Sequence, residues 1–204
     1  MDRIIVDATK PGRIFRFSER KWLLRSLMYD EFRLRPASDY ADVESDAARC
    51  DDERLRVTEL INPVITHART GQRIMPLGPV TRRRELATDY YLVCFSSICD
   101  PYLYDEFPGS DACLAITDVA AFSQRLHDAV EQALPDFAGV DAKVSYGVDN
   151  PLGVAFSKPD RFVFQHEFRF AWLPYKKPIP KLAPVVVSMG NLEGIAELVE
   201  RELE

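Results

Sequence analysis

The segment Arg161–Trp172 constrains this chain more than any other stretch of its sequence. Its even positions are Phe162, Phe164, His166, Phe168, Phe170 and Trp172; its odd positions are Arg161, Val163, Gln165, Glu167, Arg169 and Ala171. Side chains alternate between the two faces of a β-strand, so the pattern predicts one strand with a buried aromatic face and a polar opposite face. His166 falls on the aromatic side and reads as a packed histidine. Gln165 and Glu167 fall together on the polar side, with Cα atoms roughly 6.6–6.8 Å apart. If that face lines a cleft, an amide and a carboxylate enter it side by side. The same alternation is also the ordinary signature of an antiparallel strand with one wet face.

Around this strand the pattern predicts an α+β fold. Arg13–Phe17 alternates as a half-buried strand, after which Ser18 is placed to cap a helix from Glu19 with Trp22, Leu23, Leu27 and Met28 as its apolar stripe. Glu31–Arg35 is a second strand, stopped by Pro36, and 36–52 is polar loop. Glu53–Leu60 reads as a short helix. The breakers Pro63, Gly71, Pro76, Gly78 and Pro79 mark a long irregular connection at about 61–88. Tyr90–Phe95 is a central strand buried on both faces, followed by an aromatic loop at Asp100–Gly109 and a strand at Ala112–Ile116. Thr117 or Asp118 caps a helix with Val119, Phe122, Leu126 and Val130 on one face. Lys143–Tyr146, Val154–Phe156 and Pro184–Met189 complete the strands. Asn191 begins a C-terminal helix with Leu192, Ile195, Leu198 and Val199 inward. Strand groups that do not alternate regularly with helices suggest α+β rather than a βαβ series, and 204 residues fit one domain spanning 1–204.

Composition narrows the function classes. No run approaches the ~18 apolar residues that span a bilayer, and MDRIIVDATK lacks the apolar core of a signal peptide, so the expected location is cytoplasmic, away from membranes. The cysteines at 50, 94, 99 and 113 form no CxxC pair and lie away from His67, His127 and His166 at ligand spacing, so no metal is expected. A net charge of −6 argues against broad binding to nucleic acid; Arg82-Arg83-Arg84 is a local exception whose ordinary reading is solvated surface.

Several motifs recur in one order: Phe15-Arg16-Phe17, Cys94-Phe95-Ser96, the aromatic run Tyr102 to Phe107, Lys158, Gln165-His166-Glu167-Phe168-Arg169, and a tail from Val185 to Val199. In this the chain resembles a bacterial and phage-associated family of domains of unknown function, whose layout is similar to the ADP-ribosyltransferase fold of split antiparallel sheets with flanking helices. The resemblance implies an enzyme that uses NAD as a substrate, of the toxin, effector or phage-defence kind, with a protein or nucleic-acid acceptor and a cognate antitoxin or immunity protein as partner. Residue by residue it implies Arg16 on the first strand, Ser96 on a central strand and the Gln165–Glu167 pair on a later one, with Ser157–Asp160 in the place of a substrate-recognition loop. Glu167 would stabilise the oxocarbenium-like ribose formed as nicotinamide leaves, and Gln165 would orient the attacking group. Arg16 would hold pyrophosphate or ribose, Ser96 would support the nicotinamide ribose or Glu167, and Tyr102 or Tyr104 would stack on the nicotinamide ring. Each residue also has an ordinary use: an arginine paired with a surface acid, a serine ending a strand, tyrosines packed beneath a loop. The serine motif reads Phe-Ser-Ser-Ile where the enzymes typically carry Ser-Thr-Ser, and Tyr104 stands where the uncharacterised family often has tryptophan. The missing Ser-Thr-Ser favours the alternative of a non-catalytic binding or regulatory module. A third alternative is a nucleic-acid processing protein that contacts the backbone through Arg82–Arg84.

Overall fold

The computed structural model describes residues 10–41 and 52–201. Its first half contains β1 (Ile14–Ser18), α1 (Arg20–Met28), β2 (Glu31–Pro36), α2 (Ser38–Ala41), β3 (Leu55–Glu59), β4 (Ile65–Thr66), β5 (Arg73–Ile74), β6 (Thr81–Glu85) and β7 (Tyr91–Ser96). Its second half contains α3 (Tyr102–Glu106), β8 (Ala112–Ile116), α4 (Val119–Ala133), β9 (Phe137–Lys143), β10 (Ser145–Tyr146), β11 (Ser157–Lys158), β12 (Glu167–Pro174), β13 (Val185–Ser188) and β14 (Ala196–Glu200). The protein is therefore mixed α+β, with one large antiparallel sheet and few helices.

The sheet is organised around β7, which is apolar and nearly all buried, as its sequence predicts. Strand β12 pairs along one edge of β7, from Glu167↔Ser96 to Trp172↔Tyr91, and β9 continues the sheet beyond β12. The opposite edge of β7 is shared by two strands. β1 meets it only at Phe15↔Ser96, whereas β2 meets it only at Arg35↔Leu92 and Pro36↔Tyr91. Between these contacts, Val93, Cys94 and Phe95 have no strand beside them on that edge among the described residues. The sheet thus forks, with β8 and β14 continuing outward from β1 and β13 from β2. Helix α1 joins the two prongs.

One face of β7 and β12 carries the main core. Phe95, Phe170 and Phe32 meet Phe122 of α4 with ring centroids 5.3, 5.8 and 5.4 Å apart. Each such buried side chain contributes about 1.5–3 kcal/mol. Helix α4 begins as predicted: the Asp118 carboxylate accepts from the Ala121 amide at 2.9 Å. The opposite face holds a smaller apolar cluster including Tyr90, Leu92, Phe156 and Ala171. The central strands are consequently covered on both sides, and the wet face expected for residues 167–171 is buried.

Several expected elements are corrected. Arg161–Trp172 is not one strand: Asp160–Gln165 is a 3₁₀ helix, His166 sits in the left-handed region at φ 43°, and β12 starts only at Glu167. In a 3₁₀ helix residues three apart eclipse. Phe162 and Gln165 accordingly face inward while Val163 and His166 face out, so His166 is exposed rather than packed. Val154–Phe156 is likewise a 3₁₀ turn. Glu53–Leu60 contains strand β3, not a helix, because Val57 and Thr58 pair with Arg83 and Arg82 of β6. The irregular connection is therefore a ribbon, β3 with β6, continued by the short pair β4–β5. The predicted C-terminal helix does not form: residues 193–195 make only a turn, with Gly194 at φ +77°, and the chain becomes β14, which places Leu198 opposite Leu114 on the edge of β8. Ser18 belongs to β1; the first α1 amide is satisfied instead by Asp111, whose carboxylate accepts from the Arg20 N–H at 2.5 Å. Trp22 and Met28 are exposed, leaving Leu23 as the fully buried apolar residue of α1. The loop 36–52 includes α2, and its residues 42–51, with Cys50, lie outside the described residues. Among the described residues, no helix is long and apolar enough to cross a membrane and no cluster could hold a metal ion.

Candidate functional site

The fork holds a cavity of about 500 Å³. Its walls are β1, α1 and β2; its floor is the open edge of β7 with Lys158, Gln165, Glu167 and Glu53. Four of the six residues singled out in the sequence line it together: Arg16, Ser96, Gln165 and Glu167. The register explains the meeting. Phe15, Ser96 and Glu167 form one cross-strand row, and opposed residues share a face, so Ser96 and Glu167 project on the same side of the sheet. Arg16, next to Phe15, reaches into the fork, where its guanidinium donates to the Cys94 carbonyl at 3.4 Å and lies 5.9 Å from the Phe95 ring centre. The Ser96 hydroxyl accepts from the Ile98 amide at 3.2 Å, an ordinary strand-ending bond. Gln165 arrives from the 3₁₀ helix rather than from the pleat.

Tyr102 and Tyr104 do not line the cavity. Tyr104 packs edge-on against Phe17 at 4.9 Å, and burial pushes its hydroxyl up to about 12. Tyr102 is exposed, edge-on to Phe164 at 6.3 Å. Arg82, Arg83 and Arg84 all lie on the exposed ribbon, where Arg82 and Arg84 pair with Asp149 and Arg83 with Glu85.

Beneath the cavity is a cluster of buried charges. Arg169 follows Glu167 by two residues on β12, so both project to the same face, and Arg169 Nε donates to Glu167 Oε1 at 2.6 Å. The far end of the guanidinium grips Glu53 with two bonds, Nη1 to Oε2 at 2.7 Å and Nη2 to Oε1 at 3.1 Å, and Nη1 also donates to the Ala155 carbonyl at 2.6 Å. Lys158 Nζ donates to Gln165 Oε1 at 2.8 Å and lies 2.9 Å from Glu167 Oε2 and 3.5 Å from Glu53 Oε1. The two acids and two bases are each 5% exposed or less. Two hydroxyls brace the frame: the Tyr90 hydroxyl donates to the Glu53 carbonyl at 2.9 Å, and the Tyr146 hydroxyl accepts from the Glu167 amide at 2.7 Å.

Burial alone would push the Glu167 carboxyl up, but the Arg169 and Lys158 charges outweigh it and hold the group ionised far below the ordinary carboxylate range. Burial likewise disfavours the Lys158 ammonium, and the charges of Glu167 and Glu53 more than reverse this, so Lys158 stays charged. Burial, with Glu167 close by, raises the Cys94 thiol and keeps it protonated. The floor is thus a fixed carboxylate in a low-dielectric frame, and the wall carries cationic side chains, Arg16, Arg33 and Arg35 among them.

Sequence reasoning gave no role to Arg169 or Glu53 and placed Lys158 only within the Ser157–Asp160 loop. Arg169 had a signal: an arginine between phenylalanines in a strand covered on both faces needs buried partners. Lys158 stood in the motif order with Gln165 and Glu167, but no local pattern paired it with them or with Glu53. Glu53 lies 116 residues from Arg169, and no local pattern joins them. Comparison with known proteins finds no matching family model, no matching curated protein and no matching solved structure.

Proposed function

We propose that the fork cavity binds NAD and that the protein is an ADP-ribosyltransferase with the split-sheet layout of that class of enzyme. One observation carries this reading: an arginine from the first strand, a serine from the central strand and a Gln-x-Glu pair reach a single cavity from distant parts of the chain. Arginine suits the diphosphate, since its planar fork makes charge-assisted bonds to phosphate oxygens. A carboxylate that stays ionised suits the ribose. When the C1′–N bond breaks, its electron pair leaves with nicotinamide, neutralising the pyridinium and passing positive charge to the ribose. A carboxylate already fixed beside that carbon stabilises the developing charge without reorganising. The acceptor then bonds to C1′ and releases its proton; with water as acceptor the products are ADP-ribose, nicotinamide and a proton.

The test is nicotinamide release from NAD by the purified chain. Glu167→Gln is expected to lower the rate by about 10²–10³ while NAD still binds. Full activity in that variant would remove Glu167 from the mechanism. A specific observation favours a second reading, a non-catalytic NAD-binding module: both Glu167 oxygens are already engaged, by Arg169 and Lys158. Under that reading calorimetry detects NAD binding and no nicotinamide appears.

A further inference from the structure

We infer that Glu53 is a positioning residue which sets the charge balance of the site and makes it selective for a ligand whose reacting ring is cationic. The inference rests on the NAD reading above and extends it to a residue outside the motif set.

Two buried cations face Glu167, Arg169 at 2.6 Å and Lys158 at 2.9 Å. With Glu167 as their only acid, the floor would carry one net positive charge. Such a floor repels a pyridinium ring and, still more, a ribosyl cation. Glu53 brings the count to two acids and two bases, and its geometry decides which base it neutralises. It takes both outer nitrogens of the Arg169 guanidinium, leaving only Nε for Glu167. It also stands 3.5 Å from the Lys158 ammonium. Arg169 is therefore largely balanced from behind, and the four buried side chains carry no net charge. In a buried frame such a balance is screened little by solvent or salt. Glu53 enters from the foot of the β3–β6 ribbon rather than from the sheet, and its place is fixed through the Tyr90 hydroxyl on its carbonyl.

The experiment compares NAD⁺ and NADH, which differ in the charge of the nicotinamide ring, by calorimetry on wild type, Glu53→Gln, and the double variant Glu53→Gln/Arg169→Gln. Wild type is expected to prefer NAD⁺. Glu53→Gln leaves one net positive charge and is expected to shift the NAD⁺:NADH affinity ratio toward NADH by at least tenfold. The double variant removes one acid and one base and is expected to return the ratio to within about threefold of wild type, a spread set by the usual context dependence of buried pairs. A merely structural Glu53 would weaken both ligands together and leave the ratio unmoved, which overturns the inference. If Glu53→Gln does not fold, Arg169→Gln is the second variant: two acids then face one base, the ratio is expected to shift toward NAD⁺ by at least tenfold, and an unmoved ratio refutes charge balance as the cause. A wild-type protein that binds neither ligand overturns the NAD reading and the inference with it; a wild-type protein that binds NAD⁺ with an unshifted ratio in Glu53→Gln overturns the inference only.

Discussion

Arg169→Met is the sharpest test of the buried cluster. Methionine keeps an unbranched apolar stem but removes the guanidinium, and with it contacts of 2.6 Å to Glu167, 2.6 Å to the Ala155 carbonyl, and 2.7 and 3.1 Å to Glu53. Glu53 and Glu167 are then left buried with Lys158 between them. Removing one partner of a buried ion pair costs about 3–5 kcal/mol. That is a large share of the ~5–15 kcal/mol that stabilises a typical native protein. For a chain of this length the midpoint should fall by roughly 2–4 °C per kcal/mol, hence ~6–20 °C in a thermal melt. The pH dependence carries the diagnostic sign. In wild type the folded Glu167 carboxyl lies below its unfolded value of 4.5, so its contribution is complete above that pH and is lost as pH falls through the folded value. In the variant, the burial of Glu167 is opposed by Lys158 alone, and its carboxyl is pushed up. A raised acid is destabilising above its folded value and recovers as it protonates. The deficit should therefore be largest near pH 7–8 and shrink toward pH 5 in urea titrations. A deficit below about 1 kcal/mol at pH 7, the scale of an exposed pair, refutes the reasoning. So does a deficit that widens on acidification.

Gly139→Ala should destabilise the sheet by about 1–3 kcal/mol through overpacking, read by urea unfolding. A Cβ there would collide with His127 Nδ1 and lie 2.7 Å from the Trp172 ring, and Trp172 Nε1 donates to that same nitrogen at 3.1 Å. Arg16→Ala should weaken NAD binding by about 10–150-fold, the loss expected for ~1.5–3 kcal/mol of charge-assisted bonding. Tyr102→Ala should leave the affinity within a few-fold, because Tyr102 lies outside the cavity; calorimetry on both variants separates the wall from the loop.

Where one physical rule decided the structure, the sequence was legible. The apolar run at Tyr90–Phe95 needed cover on both faces and became the centre of the sheet, and Asp118 ahead of an amphipathic stretch capped α4. The errors arose where two rules gave the same pattern. Phe162 and Phe164 alternate as a strand would, but Asp160–Gln165 turns at three residues per turn, and the two periods cannot be told apart over six residues. Leu192, Ile195, Leu198 and Val199 carry helical spacing, yet Gly194 adopts a left-handed turn conformation and the edge of β8 recruits the remainder as a strand. Tertiary pairing overrode local preference there, as it did for β3.

The candidate site follows the same logic one level higher. Glu167 and Arg169 were legible as neighbours on one face, because a pleat repeats every two residues. What no periodicity encodes is the fork. β1 and β2 share one edge of β7 without pairing with each other, and this partition opens the cavity that Arg16 and Glu167 enter. It also makes room for Glu53 to reach the guanidinium from behind. A carboxylate so placed is held ionised by its two bases and shielded from overcompensation by the second acid. The acid outside the motifs thus decides whether the floor beneath the cavity is neutral or carries one net positive charge.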